Sequence, residues 1–234
     1  MREVGQVVVD VRMGLFEFSE KIAHPEEMWV PIRDKTPGVF DDTPEMRRVD
    51  DTPENGDTWV MKLSSTGVFS LEVARYRTDL YMAGRGRQSV EDVRASFVEH
   101  AVSIAEMFVG QHAGRIGLVA RVFYQDDTPH AMAAKVLRTV PADDKVASVL
   151  VRYVLHTRFA ELEMNDSTSI DSNTVAMVVG AGSGLKGVQV TRDLNIAKGM
   201  LWASTQENVT SFLNWAFDTL GLDTIEGALW ATTK

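Results

Sequence analysis

Residues 175–187, Val-Ala-Met-Val-Val-Gly-Ala-Gly-Ser-Gly-Leu-Lys-Gly, have the spacing with the most chemical promise in the chain. Gly182, Gly184 and Gly187 satisfy G-x-G-x-x-G, and Lys186 sits inside the pattern. In a dinucleotide fold such glycines allow a tight turn and close backbone approach to a pyrophosphate at a helix N-terminus. The flanking residues point elsewhere. Residues 188–196, Val-Gln-Val-Thr-Arg-Asp-Leu-Asn-Ile, alternate with the period of a strand, and no helix start follows the glycines. Leu185 before Lys186 breaks the P-loop pattern, and Ser183, flanked directly by glycines, is no nucleophile elbow. The expectation is therefore a Gly-rich hairpin connection, with 174–179 and 188–196 as antiparallel neighbours. The alternative is a nucleotide-like ligand site on Gly180–Gly187, using Gly182, Gly184, Lys186, Gly187 and Arg192.

Other polar residues offer less. Arg115 and Arg121 share a strand face with Phe123 and could bind an acidic strip on a partner; the plainer account is pairing with Glu72, Glu161 or Glu163. Arg192 and Asn195 fall on opposite faces of their strand, so they cannot share one site. The five histidines, at 24, 100, 112, 130 and 156, show no ligand spacing. His100 is expected in solvent on a helix, His156 as a structural residue of a strand. Zero cysteines exclude disulfides, thiolate zinc sites and a cysteine nucleophile. No catalytic residue, metal or cofactor is nominated.

The elements that must position these residues centre on 58–124. Strands 59–63 and 68–82 flank the turn residues Ser64-Ser65-Thr66-Gly67. Ser89 and Asp92 form a capping box that opens helix 89–109, whose stripe is Val90, Val93, Phe97, Val98, Ala101, Ile104, Ala105 and Phe108. A strand over 115–124 follows. Gln6–Met13 alternates as the first strand. Short helices are expected from Thr128-Pro129 and Pro141, a strand over 151–164, a polar loop over 165–173, and a helix over 205–220 capped by Ser204 with Glu207. The stretch 24–57 holds five of the seven prolines and two copies of Asp-Asp-Thr-Pro-Glu. It reads as an acidic irregular excursion that Trp29 and Val30 either anchor or lay on a neighbouring subunit.

The pattern repeats: strand, excursion, strands, helix, in 1–112 and again in 113–234. Even the opening strands look alike, Val-Asp-Val-Arg-Met at 9–13 and Leu-Val-Ala-Arg-Val at 118–122. The expectation is a single α+β domain over 1–234, an antiparallel sheet with two long helices packed on one side, built from two duplicated β-ββ-α halves.

Bulk properties bound the function. With 44% hydrophobic and 24% charged residues, the 234-residue chain can bury a real core. A net charge of -9 argues against a nucleic-acid surface, since that affinity comes from Lys and Arg. No apolar run approaches the roughly 20 residues a spanning helix needs. The acidic N-terminus lacks the apolar core of a signal peptide, so a soluble cytoplasmic protein is expected.

Trp59 to Tyr81, the helix after it, Gly114-Arg115-Ile116-Gly117-Leu118 and Arg192-Asp193-Leu194-Asn195 together carry a resemblance. They resemble a sporadically distributed family of uncharacterised bacterial proteins of about this length, over most of the chain. The resemblance implies a cytoplasmic prokaryotic or phage-related protein of an accessory or defence system. The expected function is a non-enzymatic protein-interaction module that binds other proteins and itself as a homo-oligomer, with Trp29, Arg115 and Arg121 as partner-binding candidates.

Overall fold

The structure, a computed structural model, describes residues 6–18, 22–50, 57–66, 68–108, 112–125, 129, 133, 148–176, 185–197, 202–221 and 224–225. The chain forms β1 (Gln6–Phe18), a 3-10 turn at Pro25–Met28, α1 (Trp29–Lys35), β2 (Glu45–Asp50), β3 (Asp57–Ser64), β4 (Phe69–Ala74) and β5 (Arg77–Ala83). There follow α2 (Val90–Glu106), β6 (His112–Gln125), β7 (Leu150–Phe159), β8 (Leu162–Ala176), β9 (Leu185–Ile196), β10 (Trp202–Ala203) and α3 (Gln206–Asp218). The strands make one antiparallel sheet in the order β2-β3-β4-β5-β1-β6-β9-β8-β7, with the short β10 also on β6. The expected class, α+β with an antiparallel sheet, is what forms. Among the described residues no helix is long and apolar enough to cross a membrane.

Alternation along each strand sends its residues to two different layers. From β1, Val11, Met13 and Leu15 join the core; from β6, Ile116, Leu118, Ala120 and Val122; from β9, Val188, Val190, Leu194 and Ile196. The helices close over this face. Val93, Phe97, Ala101, Ile104 and Ala105 of α2 are buried, as are Val209, Phe212, Leu213, Ala216 and Phe217 of α3. The two helices also touch: the Phe97 and Phe217 rings meet edge to face at 6.0 Å, and Arg94 donates to Asp218 Oδ1 at 2.6 Å and to Asn214 Oδ1 at 3.2 Å. The capping box on α2 is present on both sides, Ser89 Oγ accepting from Asp92 N and Asp92 from Ser89 N.

Several expectations change. The excursion 24–57 is not irregular throughout: Trp29–Lys35 is helical and Glu45–Asp50 pairs with β3 as an edge strand. Prolines concealed both, yet Pro31 lies in the first turn of α1, where a missing N–H costs nothing. The strand expected over 68–82 folds back at Arg75-Tyr76, between partners Ala74 and Arg77, although neither turn residue is a turn former. The polar loop 165–173 is strand β8, and 151–164 divides at Ala160-Glu161 into β7 and β8. Ala160 takes φ 50, the left-handed value that turn geometry demands. The second helix starts one residue later than expected: Thr205 is its cap, accepting from Asn208 N at 3.2 Å, while Ser204 is buried. The helix expected after Pro141 and most of that expected after Pro129 lie outside the described residues.

Phe97 and Phe108 are 0% and 1% exposed. Phe97→Ala is expected to lower unfolding free energy by about 3–5 kcal/mol, measured by chemical denaturation, and Phe108→Ala by a similar amount.

Candidate functional site

Among the described residues no helix lies on the opposite sheet face, and residues there form a groove of about 710 Å³ over the middle of the sheet. Its floor is the pairing of β1 with β6, where Gly14 lies opposite Gly117. Arg12, Phe16, Arg115 and Val119 flank these glycines; Arg77, Asp79, Asp193 and Asn195 come from the next strands, and Arg47, Glu72, Arg75 and Tyr76 close the far side. The volume lies in the range of ordinary ligand sites.

Five arginines and three carboxylates line the groove, so it is cationic in a chain whose net charge is -9. The pairing is uneven. Asp79, 5% exposed, accepts from Arg12 Nε at 3.0 Å and from Arg77, while Arg12 Nη2 lies 2.9 Å from its Oδ1. Arg47 pairs with Glu72 at 2.6 Å. Among the described residues Arg115 has only neutral partners: it donates to Asn195 Oδ1 at 2.9 Å and to the Ile196 carbonyl at 3.3 Å. Arg75 lies 5.8 Å from the Tyr76 ring centre. Among the described residues neither Arg115 nor Arg75 has a carboxylate within 4 Å. The Asn195 amide is fixed in orientation, because its Oδ1 also accepts from Asn165 at 3.3 Å and its Nδ2 donates to Asp193 at 3.0 Å. The site can hold an anion at Arg115. Among the described residues no group of His, Cys, Asp and Glu could hold a metal ion.

Burial pushes the Asp79 carboxyl up to about 6, against the pull of the Arg12 guanidinium. A carboxyl that binds its proton more tightly when folded stabilises the fold below its unfolded pKa, and that contribution is lost as pH rises through 6.

The sequence candidates scatter. Gly182 and Gly184 lie outside the described residues. Lys186 is exposed on β9, cross-strand from Val175, and Gly187 is buried in the same strand. A Cβ at Gly187 would come within 2.1 Å of the Tyr124 carbonyl, so this glycine serves strand approach. β8 and β9 are antiparallel neighbours, as alternation implied. Arg192 is far from solvent on the core face: its Nε and Nη2 bind the Asp166 carboxylate at 3.0 and 2.5 Å, with side chains 5% and 3% exposed. Thr168 donates to the same carboxylate at 3.0 Å. Gly187 and Arg192 therefore face opposite sides of the sheet.

Arg121 pairs with Asp10, its cross-strand neighbour, and not with Glu72, Glu161 or Glu163. Trp29 packs partly buried against the core, with Arg33 5.7 Å from its ring centre, while Val30 is 49% exposed. His100 does not stand in solvent: its ring meets Phe69 edge on at 4.8 Å, and burial lowers its pKa. His156 is exposed on β7. Of the described residues nominated as binding candidates from sequence, only Arg115 lines the groove. Arg12, Phe16, Arg75, Arg77 and Asp79 were missed, and Asn195 was weighed only against Arg192; the shared Arg-x-Gly-Leu of residues 12–15 and 115–118 was the available signal.

No family model matches the chain, and no curated protein matches its sequence.

Two outcomes are expected. Between pH 7 and pH 5 wild type gains about 1 kcal/mol of stability relative to Asp79→Asn, read by denaturation of both at each pH. Asp166→Ala, which strands the Arg192 charge in the core, costs about 3–5 kcal/mol by the same measurement.

Proposed function

We propose that this chain is a non-enzymatic interaction module whose open sheet face takes an acidic segment of a partner protein. The observation that carries this reading is Arg115, held over the groove floor by neutral partners alone, with the similarly uncompensated Arg75 in the same groove. A guanidinium is planar, permanently charged and suited to a carboxylate in two-point contact. A net-negative protein that concentrates cations in one groove repels acidic chains elsewhere and steers them there. The resemblance in Arg115-Ile116-Gly117-Leu118 supports a place in a bacterial accessory system. Self-association is part of the reading: Trp59 and Met46, 53% and 39% exposed on adjacent strands, are apolar surface available to a second copy.

We infer too that the groove lies on the seam between two duplicated halves. Reading outward from the seam gives β5, β4 and β3 beside β1, and β9, β8 and β7 beside β6. Apart from the added edge strand β2 in the first half, each half then runs seam strand, three outer strands and capped helix. Matching Gly14 to Gly117 aligns Arg12-Met13-Gly14-Leu15 with Arg115-Ile116-Gly117-Leu118. Asp79, cross-strand from Gly14, then matches Asn195, cross-strand from Gly117. The helix cap Ser89 matches Thr205. The alignment first suggested by strand appearance, 9–13 with 118–122, is displaced from this one. In the sheet Arg121 lies opposite Asp10, and Arg12 opposite Val119.

A fluorescein-labelled decaglutamate peptide tests the groove. Saturable binding at low salt is expected, weakened by added salt and absent for a decaglutamine control. Arg115→Ala should lower the affinity about tenfold, a loss of about 1.4 kcal/mol. Binding that ignores salt and the Arg115 substitution would overturn the reading. Strong thermal stabilisation by ATP or NAD, with no peptide binding, would promote the nucleotide alternative.

A further inference from the structure

The two sides of the seam place the same arginine beside different partners. Arg12 Nε donates to Asp79 Oδ1 at 3.0 Å, and Arg115 Nη2 donates to Asn195 Oδ1 at 2.9 Å. Asp79 is the cross-strand partner of Gly14, and Asn195 of Gly117, so the acid and the amide stand in matching positions. They have the same shape and differ in one charge. We propose that this pair decides which half of the groove takes a carboxylate: Asn195 leaves Arg115 open to a ligand, and Asp79 fills the matching place at Arg12 from within the protein.

The inference rests on the acidic-segment reading and adds a polarity to it. A carboxylate entering the first half meets Asp79, a like charge already bonded to both Arg12 and Arg77. Two carboxylates cannot share those guanidiniums without repulsion. In the second half the incoming carboxylate meets a guanidinium whose hydrogen-bond partners are an amide oxygen and a backbone carbonyl. Asp193, the acid lining that side, accepts from Asn195 at 3.0 Å and makes no ion pair with Arg115 among the described residues. Asp79 thus acts as a built-in occupant, and Asn195 as its neutral counterpart.

The test exchanges the two residues in the full chain, again with labelled decaglutamate. Asn195→Asp is expected to weaken binding at least about tenfold by filling the open place. Asp79→Asn is expected to tighten it several-fold or to add a second equivalent site, and adding Arg12→Gln to that variant should reverse the gain. Asn195→Asp puts a second acid beside Asp193, so Arg115→Gln, which adds no charge there, is the companion variant and should also lose binding. Thermal unfolding of each variant establishes that it is folded. Wild-type binding that Arg115→Gln weakens but Asn195→Asp leaves unchanged overturns this inference alone, as does an Asp79→Asn variant indistinguishable from wild type; binding that both substitutions leave unchanged overturns the acidic-segment reading with it. Absence of binding by wild type and by Asp79→Asn alike overturns the acidic-segment reading together with it.

Discussion

The antiparallel pairing of β1 with β6 joins the two sides of the sheet, and its central contact is Gly14 against Gly117. A Cβ at Gly14 would lie 2.2 Å from the Phe16 ring and 3.0 Å from Asp79 Oδ1. The missing side chain is what admits both groups. With the ring brought in over the strand, Arg77 can lie 5.3 Å from its centre, and Arg77 and Arg12 converge on one carboxylate. A residue with a side chain at this point would lift the ring, separate the arginines and leave Asp79 buried with fewer partners. The shape of the groove and the charge inside it therefore have a common cause.

The two faces of the sheet treat charge differently. On the helix-covered face Arg192 and Asp166 are nearly solvent-free and bind each other in two-point contact, as low dielectric requires of any charge left inside. On the open face water and neighbouring strands share the task, so an arginine there can rest on an amide instead of an acid. That tolerance is what leaves a cation available. α2 and α3 cover only the first face because their apolar stripes match the apolar residues of the strands, and the charged alternates of those strands offer them nothing to bury.

The sequence by itself determined the elements whose patterns are local. Helix α2 was legible from Ser89, Asp92 and the stripe through Phe97, since capping and amphipathicity act over three or four residues. Strands β1, β6 and β9 were legible from alternation, and β9, which follows the Gly-rich stretch, ruled out a helix start there. Polar content hid β8: Asn165, Ser167 and Ser169 looked like a loop, yet a strand half-open to water tolerates such residues on that side. The tight turn at Arg75-Tyr76 had no glycine or asparagine to announce it, and α1 was masked by Pro31 and the flanking Pro25 and Pro37.

The groove was decided by tertiary structure alone. Arg12, Asp79, Arg115 and Asn195 stand far apart in the chain, and what unites them is strand register, which long-range pairing sets and no local pattern records. Burial separated Arg192 from the glycines it follows in sequence, because a single step along a strand moves a side chain to the other face. Charge counts gave an acidic protein; only the folded arrangement turned part of that surface cationic, by pairing acids with some arginines and leaving Arg115 to neutral partners.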